Sequence, residues 1–406
     1  MPEAVIVAAT RSPIGRARKG SLVDVRPDDL AADVIGAALS GLDGFDPATL
    51  DDLLLGCAEP HDEHGGNVAR RVAVQLGLDG VPAATVNRFC ASSVQTARMA
   101  YHAIRSGEGH AFVSAGVECV SRYRNFGSAG VDPVDTQNPT FAEAGERTVR
   151  QAETNEPWHD PREDGLLPDI YIPMGQTAEN VATRYGITRA ECDALGVLSQ
   201  NRAEQAIADG VFAEEITPVH TPHGPVTTDD GPRAGVTAES VAGLQPVFRP
   251  DGVVTAANCC PLNDGAAAVV IMSDERAAEL GLTPLARIVA TGATGVSPEI
   301  MGMGPVEASW QALARSGLTM TDIGLVEINE AFAVQVIASA RELGIDQDKL
   351  NVHGGAIALG HPFGATGARI MTTLLTAMRR HDVEFGLETM CVGGGQGMAI
   401  VLQRLA

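Results

Sequence analysis

Residues 85–97 read TVNRFCASSVQTA: a β-branched strand ending that runs straight into a small, apolar helix, with one cysteine at the join. Residues 84–87 are predicted as a strand and residues 90–106 as a helix stopped by Gly107, with Ala91, Val94, Ala97 and Ala100 along its apolar face. So small and apolar a helix is expected to be buried, its first turn opening into a cavity. Residues 325–338, LVEINEAFAVQVIA, repeat the pattern of a strand running into a buried helix. Each of the two stretches is followed by a Gly-bearing segment read as a hairpin, residues 255–272 (TAANCCPLNDGAAAVVIM) and 389–402 (TMCVGGGQGMAIVL). Such self-similarity predicts a duplicated α/β unit.

Short apolar strands alternate with helices outward from that stretch. Strands are expected at 5–9, 52–56 and 111–117, and helices at 28–39 and 68–76. Such alternation implies βαβ units and a largely parallel sheet covered on both faces. Between about 121 and 250 the apolar blocks thin out and only helices at 177–185 and 189–209 stand out. A long segment of that kind reads as an insertion carrying binding loops over one face of the core. Strands at 253–256 and 266–272, joined by an NDG turn, return to the first unit. The second unit then follows, with strands at 286–291, 325–329, 387–391 and 398–402 and helices at 305–316, 330–343 and 367–378. The expected organisation is residues 1–121 with 251–275, an inserted domain at 122–250, and residues 276–406.

The chain has 406 residues, 20% of them charged and 45% apolar, with a net charge of −22. All but two of its 29 basic residues are Arg, the exceptions being Lys19 and Lys349. That field argues against nucleic acid or an anionic membrane as a partner. A local Arg cluster can still hold a small anion, because charges are screened beyond about 8–10 Å. The seven cysteines are odd in number, scattered and free of CxxC pairs, so a reduced compartment is expected. No membrane-length apolar run, leader or retention tag is apparent, and the expectation is a cytoplasmic protein.

Cys90 at a helix start would face unpaired N–H groups and the positive end of the dipole, which favour thiolate. The competing reading is a core cysteine packed as a small hydrophobe. Residues 351–369, NVHGGAIALGHPFGATGAR, hold His361 on a stiff loop among small residues, a setting that suits a general base for a thiol. His353 reads as hydrogen-bonded scaffold. In TMCVGGGQG a second thiol, Cys391, precedes a run of glycines whose N–H groups could stabilise an oxyanion, a contribution of about 100- to 1,000-fold per donor. A phosphate cradle is disfavoured, since no GK[ST] follows and the run opens no helix. Cys57, His61 and His64 in CAEPHDEH could be taken for metal ligands, but the loop lacks a fourth ligand at recognisable spacing.

Together VNRFCASS, MGQTAENVA, NEAFA, GGAIALGHPFGATGAR and CVGGGQGMA resemble the thiolase family, in order and over nearly the whole chain. The resemblance implies an α/β fold of two βαβαβαββ halves in a five-layered α/β/α/β/α core with an inserted loop domain, assembled as a homodimer or homotetramer. It implies that Cys90 carries the acyl group as a thioester, His361 takes its proton, and Cys391 acts as acid and base on acetyl-CoA and CoA. Asn329, holding a water with His361, would form one oxyanion hole, and the N–H groups of Cys90 and Gly393 the other. Acyl-CoA and CoA are then substrates, and no metal or organic cofactor is implied. Met174, Phe332, Cys260 and Arg233 are the candidates for CoA or substrate contacts. Two positions depart from the family pattern: Ser93 stands where Gly is common, and Cys260 where a Ser commonly touches the pantetheine stem. Pro173 replaces the His that precedes Met in biosynthetic acetoacetyl-CoA thiolases, which points to the degradative 3-ketoacyl-CoA type of fatty-acid β-oxidation, with enzymes of that route as possible partners. A carrier-protein synthase would lack Cys391, and a non-catalytic lipid-binding subunit would have lost one of the three reactive residues.

Overall fold

A computed structural model describes residues 1–124, 136–154 and 156–406; residues 125–135 and 155, within the expected insertion, lie outside the described residues. Nine strands form the main ladder: β1 (Ala4–Arg11), β2 (Asp52–Gly56), β3 (Ala83–Val86), β4 (Ala111–Cys119), β5 (Asn263–Ser273), β6 (Ala286–Gly295), β7 (Leu325–Ile328), β8 (Phe385–Val392) and β9 (Gln396–Arg404). Their spatial order is β7-β8-β9-β6-β1-β5-β4-β2-β3, and the two-residue strand Gly15–Arg16 pairs on β5. Read outward from the β6/β1 seam, both halves follow the same order. In the second half an isolated parallel bridge between Val326 and Leu350 stands in the place of β3. The seam itself is slight, just Val5↔Arg287 and Ile6↔Ala286.

Side-chain alternation along the strands builds the layers. Val5, Val7, Leu53, Leu55, Val113 and Val270 pack against α1 (Pro27–Ser40) and α2 (Val68–Gln75). Their neighbours Ala4, Ile6, Leu54, Phe112 and Ile271 face the other way, onto α3 (Ser92–Ser106) and α8 (Thr366–Arg380). Met390, Met398 and Ile400 of the second half close on the same two helices. Leu387, Ala399 and Val401 face α6 (Gly304–Ser316) and α7 (Ala333–Leu343). Helices therefore cover both outer faces, and α3 and α8 fill the layer between the half-sheets, giving the five-layered α/β core.

From the inserted stretch come α4 (Met174–Tyr185) and α5 (Arg189–Ala208), close to expectation. A further helix, Ala142–Thr154, was not anticipated, because it is polar overall and only Ala144 and Thr148 of it are buried. Four expectations need correcting. The sheet is mixed and not largely parallel: β7–β8, β4–β2 and β2–β3 pair parallel, while β8–β9, β9–β6, β6–β1, β1–β5 and β5–β4 are antiparallel, because the last two strands of each half return as a hairpin or run back along the first strand. Residues 253–256 are not a strand: Glu179 accepts the N–H groups of Val253 and Val254 (3.1 and 3.0 Å), and Asn258 donates to the Val253 carbonyl (3.0 Å), so side chains replace a neighbouring strand. The NDG sequence lies inside β5 instead of forming a turn, its Asn263 amide donating to the Gly15 carbonyl (2.9 Å). The helix expected from 330 starts at Ala333, because Asn329–Phe332 stays extended and Phe332 bridges Cys259.

Candidate active site

The central helices α3 and α8 both begin at one place, and the chemistry-bearing residues gather there. Cys90 sits in a single 3-10 turn, Phe89–Ala91, ahead of α3. Local side chains shape the turn: Asn87 accepts the Phe89 N–H (2.8 Å), and the Ser92 hydroxyl accepts the Arg88 N–H (2.9 Å) while donating to the Phe89 carbonyl (2.6 Å). They hold Phe89 at φ 44°, a left-handed conformation uncommon for a bulky residue. The backbone N–H groups of Gly393 and of Cys90 itself lie near the Cys90 sulfur and favour its charged form. Burial nevertheless dominates and pushes the Cys90 thiol up to about 12, the two N–H groups only partly offsetting it. The expectation of a thiolate favoured by the helix start is thereby corrected, since desolvation outweighs the neighbouring N–H groups.

His361 is buried after the short helical turn Ala356–Leu359. Asn263 of β5 accepts its backbone N–H (2.9 Å). Its Nδ1 lies 2.6 Å from the Thr366 hydroxyl, which itself donates to the Pro362 carbonyl (2.9 Å). Thr366 is thus an acceptor for Nδ1–H, which leaves Nε2 with its lone pair directed at the Asn329 amide, 3.2 Å away. Burial, with a smaller effect from the Arg369 cation, pushes the imidazole down to about 3, so it is neutral at ordinary pH. Asn329 Oδ1 is buried and has no partner among the described residues.

Cys391 is fully buried near the end of β8, and the turn beyond it carries Gly394 and Gly395 at φ 73° and 79°, where a side chain would be strained. That turn presents the Gly393 N–H to Cys90. Cys391 is raised by burial and by the neighbouring Cys90 thiol, and Cys260 is raised by burial and by its proximity to Cys259, Cys90 and Cys391. The Asn329 N–H donates to the carbonyl of Thr389, two residues before Cys391 on β8 (3.1 Å), so the His361–Asn329 pair and the Cys90, Cys391 and Gly393 group meet at the same strand end. Phe332 is buried at the same corner, its ring edge-to-face with Phe248 at 6.2 Å, and the half-buried Met174 opens α4 in the same apolar cluster.

Arg233 is exposed, on a cleft of about 370 Å³ bounded by Arg16, Ser240, Leu244, Cys259 and Ile357. Arg16, which donates to the Gly231 carbonyl (3.1 Å), was missed in the sequence because a single Arg in an N-terminal loop gives no signal. Thr366 and Asn263 were likewise missed, as the orienting groups of His361. Ser93 is explained by the structure: its buried hydroxyl accepts the Ala368 N–H (3.0 Å) at the start of α8. Cys57, His61 and His64 lie around Tyr123 and Glu118 but each has its own partner. The Cys57 thiol meets Glu118 (3.5 Å), His64 accepts the Cys119 N–H (2.9 Å), and His61 is beside Asp62 (3.0 Å). His353 is buried, ring to ring with His381 at 5.7 Å.

Comparison with known proteins agrees with this geometry. Residues 4–275 match the family description "Thiolase, N-terminal domain" and residues 282–404 "Thiolase, C-terminal domain". A 3-ketoacyl-CoA thiolase of Bacillus subtilis is 42% identical over 99% of this chain and all of its own. An acetyl-CoA acetyltransferase of Pseudomonas aeruginosa is 43% identical, with both chains covered completely. Among solved structures, the Bacillus anthracis acetyl-CoA acetyltransferase superposes with a TM-score of 0.86 at 39% identity, covering 100% of this chain and 99% of that one. The chain belongs to the thiolase family of acyltransferases.

Proposed function

We propose that the protein catalyses the reversible thiolytic cleavage of 3-ketoacyl-CoA by CoA, giving acetyl-CoA and an acyl-CoA shortened by two carbons. The observation that carries this reading is the pairing of two neighbouring thiols, the half-buried Cys90 and the buried Cys391, with the Gly393 N–H beside the Cys90 sulfur. His361 Nε2 takes the Cys90 proton as the sulfur attacks the 3-keto carbon, and the resulting imidazolium becomes a donor to the oxygen that gains charge. Asn329, with its free Oδ1 and its amide on His361, supports a water that completes this donor set. Cleavage of the C2–C3 bond leaves the acyl group on Cys90 and expels the acetyl-CoA enolate. Cys391 S–H protonates that enolate at C2; its thiolate then deprotonates incoming CoA, which attacks the thioester and expels Cys90 as a thiolate. That thiolate takes its proton back from the His361 imidazolium. The N–H groups of Cys90 and Gly393 stabilise the thioester oxyanion. No step calls on a metal or organic cofactor. The Arg16/Arg233 cleft, with Cys259 on its wall beside Cys260, fits the phosphate end of CoA.

The degradative direction is favoured over the biosynthetic condensation of two acetyl-CoA because Pro173, not His, precedes Met174 at the start of α4. Steady-state thiolysis across a series of 3-ketoacyl-CoAs tests it. The expected result is a kcat/KM for 3-ketooctanoyl-CoA at least about tenfold above that for acetoacetyl-CoA, a difference of about 1.4 kcal/mol. The reverse ranking would make the acetoacetyl-CoA enzyme the correct reading.

A further inference from the structure

His361 belongs to the second half of the molecule, yet much of what holds its loop comes from the first. Asn263 of β5 takes the His361 N–H, and Ser93 of α3 takes the Ala368 N–H. Between these anchors the Gly364 N–H donates to Glu118 Oε2 at 2.7 Å. Glu118, next to last in β4, is wholly buried. The same Oε2 accepts the Ala58 N–H at 2.7 Å, while Oε1 accepts from the Glu59 N–H (3.3 Å), the Cys57 thiol (3.5 Å) and the Tyr123 hydroxyl. One carboxylate thus joins the loop after β2, the end of β4 and the His361 loop. The fit is close: a Cβ at Gly116 would lie 2.1 Å from the Gly364 carbonyl oxygen, and one at Gly364 would lie 2.7 Å from the Cys57 Cα.

We propose that Glu118 is a positioning residue for the acyl transfer, acting on His361 through Gly364. An acceptor shared by peptide N–H groups of both halves fixes their separation, and so the distance between the Cys90 turn and the imidazole. Without it the Pro362–Ala365 turn loses its central anchor while Asn263 and Ser93 still hold its ends, so the loop shifts without unfolding. A misplacement of about 1 Å at a catalytic group costs on the order of 100-fold in rate. The inference rests on the roles given to Cys90 and His361 under Proposed function, and its test separates the two.

Each variant is first titrated with acetyl-CoA and read by mass, so that turnover is expressed per acylated Cys90. If the wild-type protein takes up no acetyl group on Cys90, the role of Cys90 fails and Glu118 is not at issue. With titration intact, Glu118→Ala is expected to lower kcat per titrated site about 100-fold, with KM for both substrates within about twofold. Glu118→Asp keeps the carboxylate but withdraws it by one methylene, and at least about tenfold should be lost. Glu118→Gln, whose amide oxygen can still accept from Ala58 and Gly364, should remain within about fivefold of wild type. A purely structural role would reduce the titratable fraction and the melting temperature but leave kcat per titrated site unchanged, and that result overturns the proposal. Should Glu118→Ala fail to fold, wild-type turnover per site in Glu118→Asp overturns it equally.

Discussion

Cys90, Cys391 and His361 all rest uncharged: burial raises both thiols and pushes the imidazole down to about 3. Charge then develops only when substrate is present, where fixed N–H groups receive it without reorganisation. The sign for reactivity follows from a thiol raised to about 12. Its thiolate fraction grows about tenfold per pH unit throughout the accessible range, so alkylation of Cys90 by iodoacetamide in the free protein should climb from pH 7 to 10 with no plateau. A plateau near pH 8 would show an activated thiolate. Cys391→Ala should still acylate Cys90 but lose exchange of the acetyl-CoA methyl protons by at least about 100-fold, followed by deuterium uptake. Asn329→Ala should lower kcat by about 100- to 1,000-fold, measured in the thiolysis assay. Residue types and their motifs made Cys90, His361 and Cys391 legible in the sequence. The protonation state of Cys90 was not, because a helix start can be read from a pattern while the surrounding desolvation is a product of packing. Thr366, Asn263 and Arg16 escaped for a related reason: each acts on its partner through a contact no local pattern records.

Elements that pack through alternating or helical periods were legible, as the close match of α3, α5, β8 and β9 to their expected ranges shows. Reading failed where a side chain substitutes for backbone pairing. Glu179 and Asn258 hold residues 253–256 in an irregular segment with no strand beside it, and Asn263 draws NDG into β5 where such a tripeptide ordinarily turns. The Ala142–Thr154 helix is polar overall and buries only Ala144 and Thr148, so no apolar block marks it. Close approach between elements gives a prediction at this scale. Gly116→Ala would place a methyl 2.1 Å from the Gly364 carbonyl, so either β4 or the His361 loop must move. The expected outcome is a fall in stability of about 1–3 kcal/mol, read from the denaturant midpoint, together with slower turnover. Unchanged values for both would mean that the two elements are not held in contact.

Across the whole molecule, the duplicated order of strands brings the N-termini of α3 and α8 to one point between the half-sheets, so each half supplies part of the site. Three buried histidines tie stability to pH, His64 among them, its imidazole also lowered chiefly by burial. His361 and His353 are lowered to about 3 and about 4, chiefly by burial, whereas in the unfolded chain they titrate near 6.5. The unfolded state therefore binds more protons in that window. Their contribution is complete above about pH 6.5 and is lost as pH falls toward 4. His353→Gln should accordingly show a shallower decline of thermal midpoint between pH 6.5 and 4 than the wild type, and an equal or steeper decline would contradict the assignment. The claim on which all three scales converge is that Cys90 carries the acyl group. Incubation with acetyl-CoA followed by proteolysis and mass spectrometry tests it most directly: an acetyl group on the peptide containing Cys90, absent in Cys90→Ala, is the predicted result, and an acetyl group found only on Cys391 or Cys260 would contradict it.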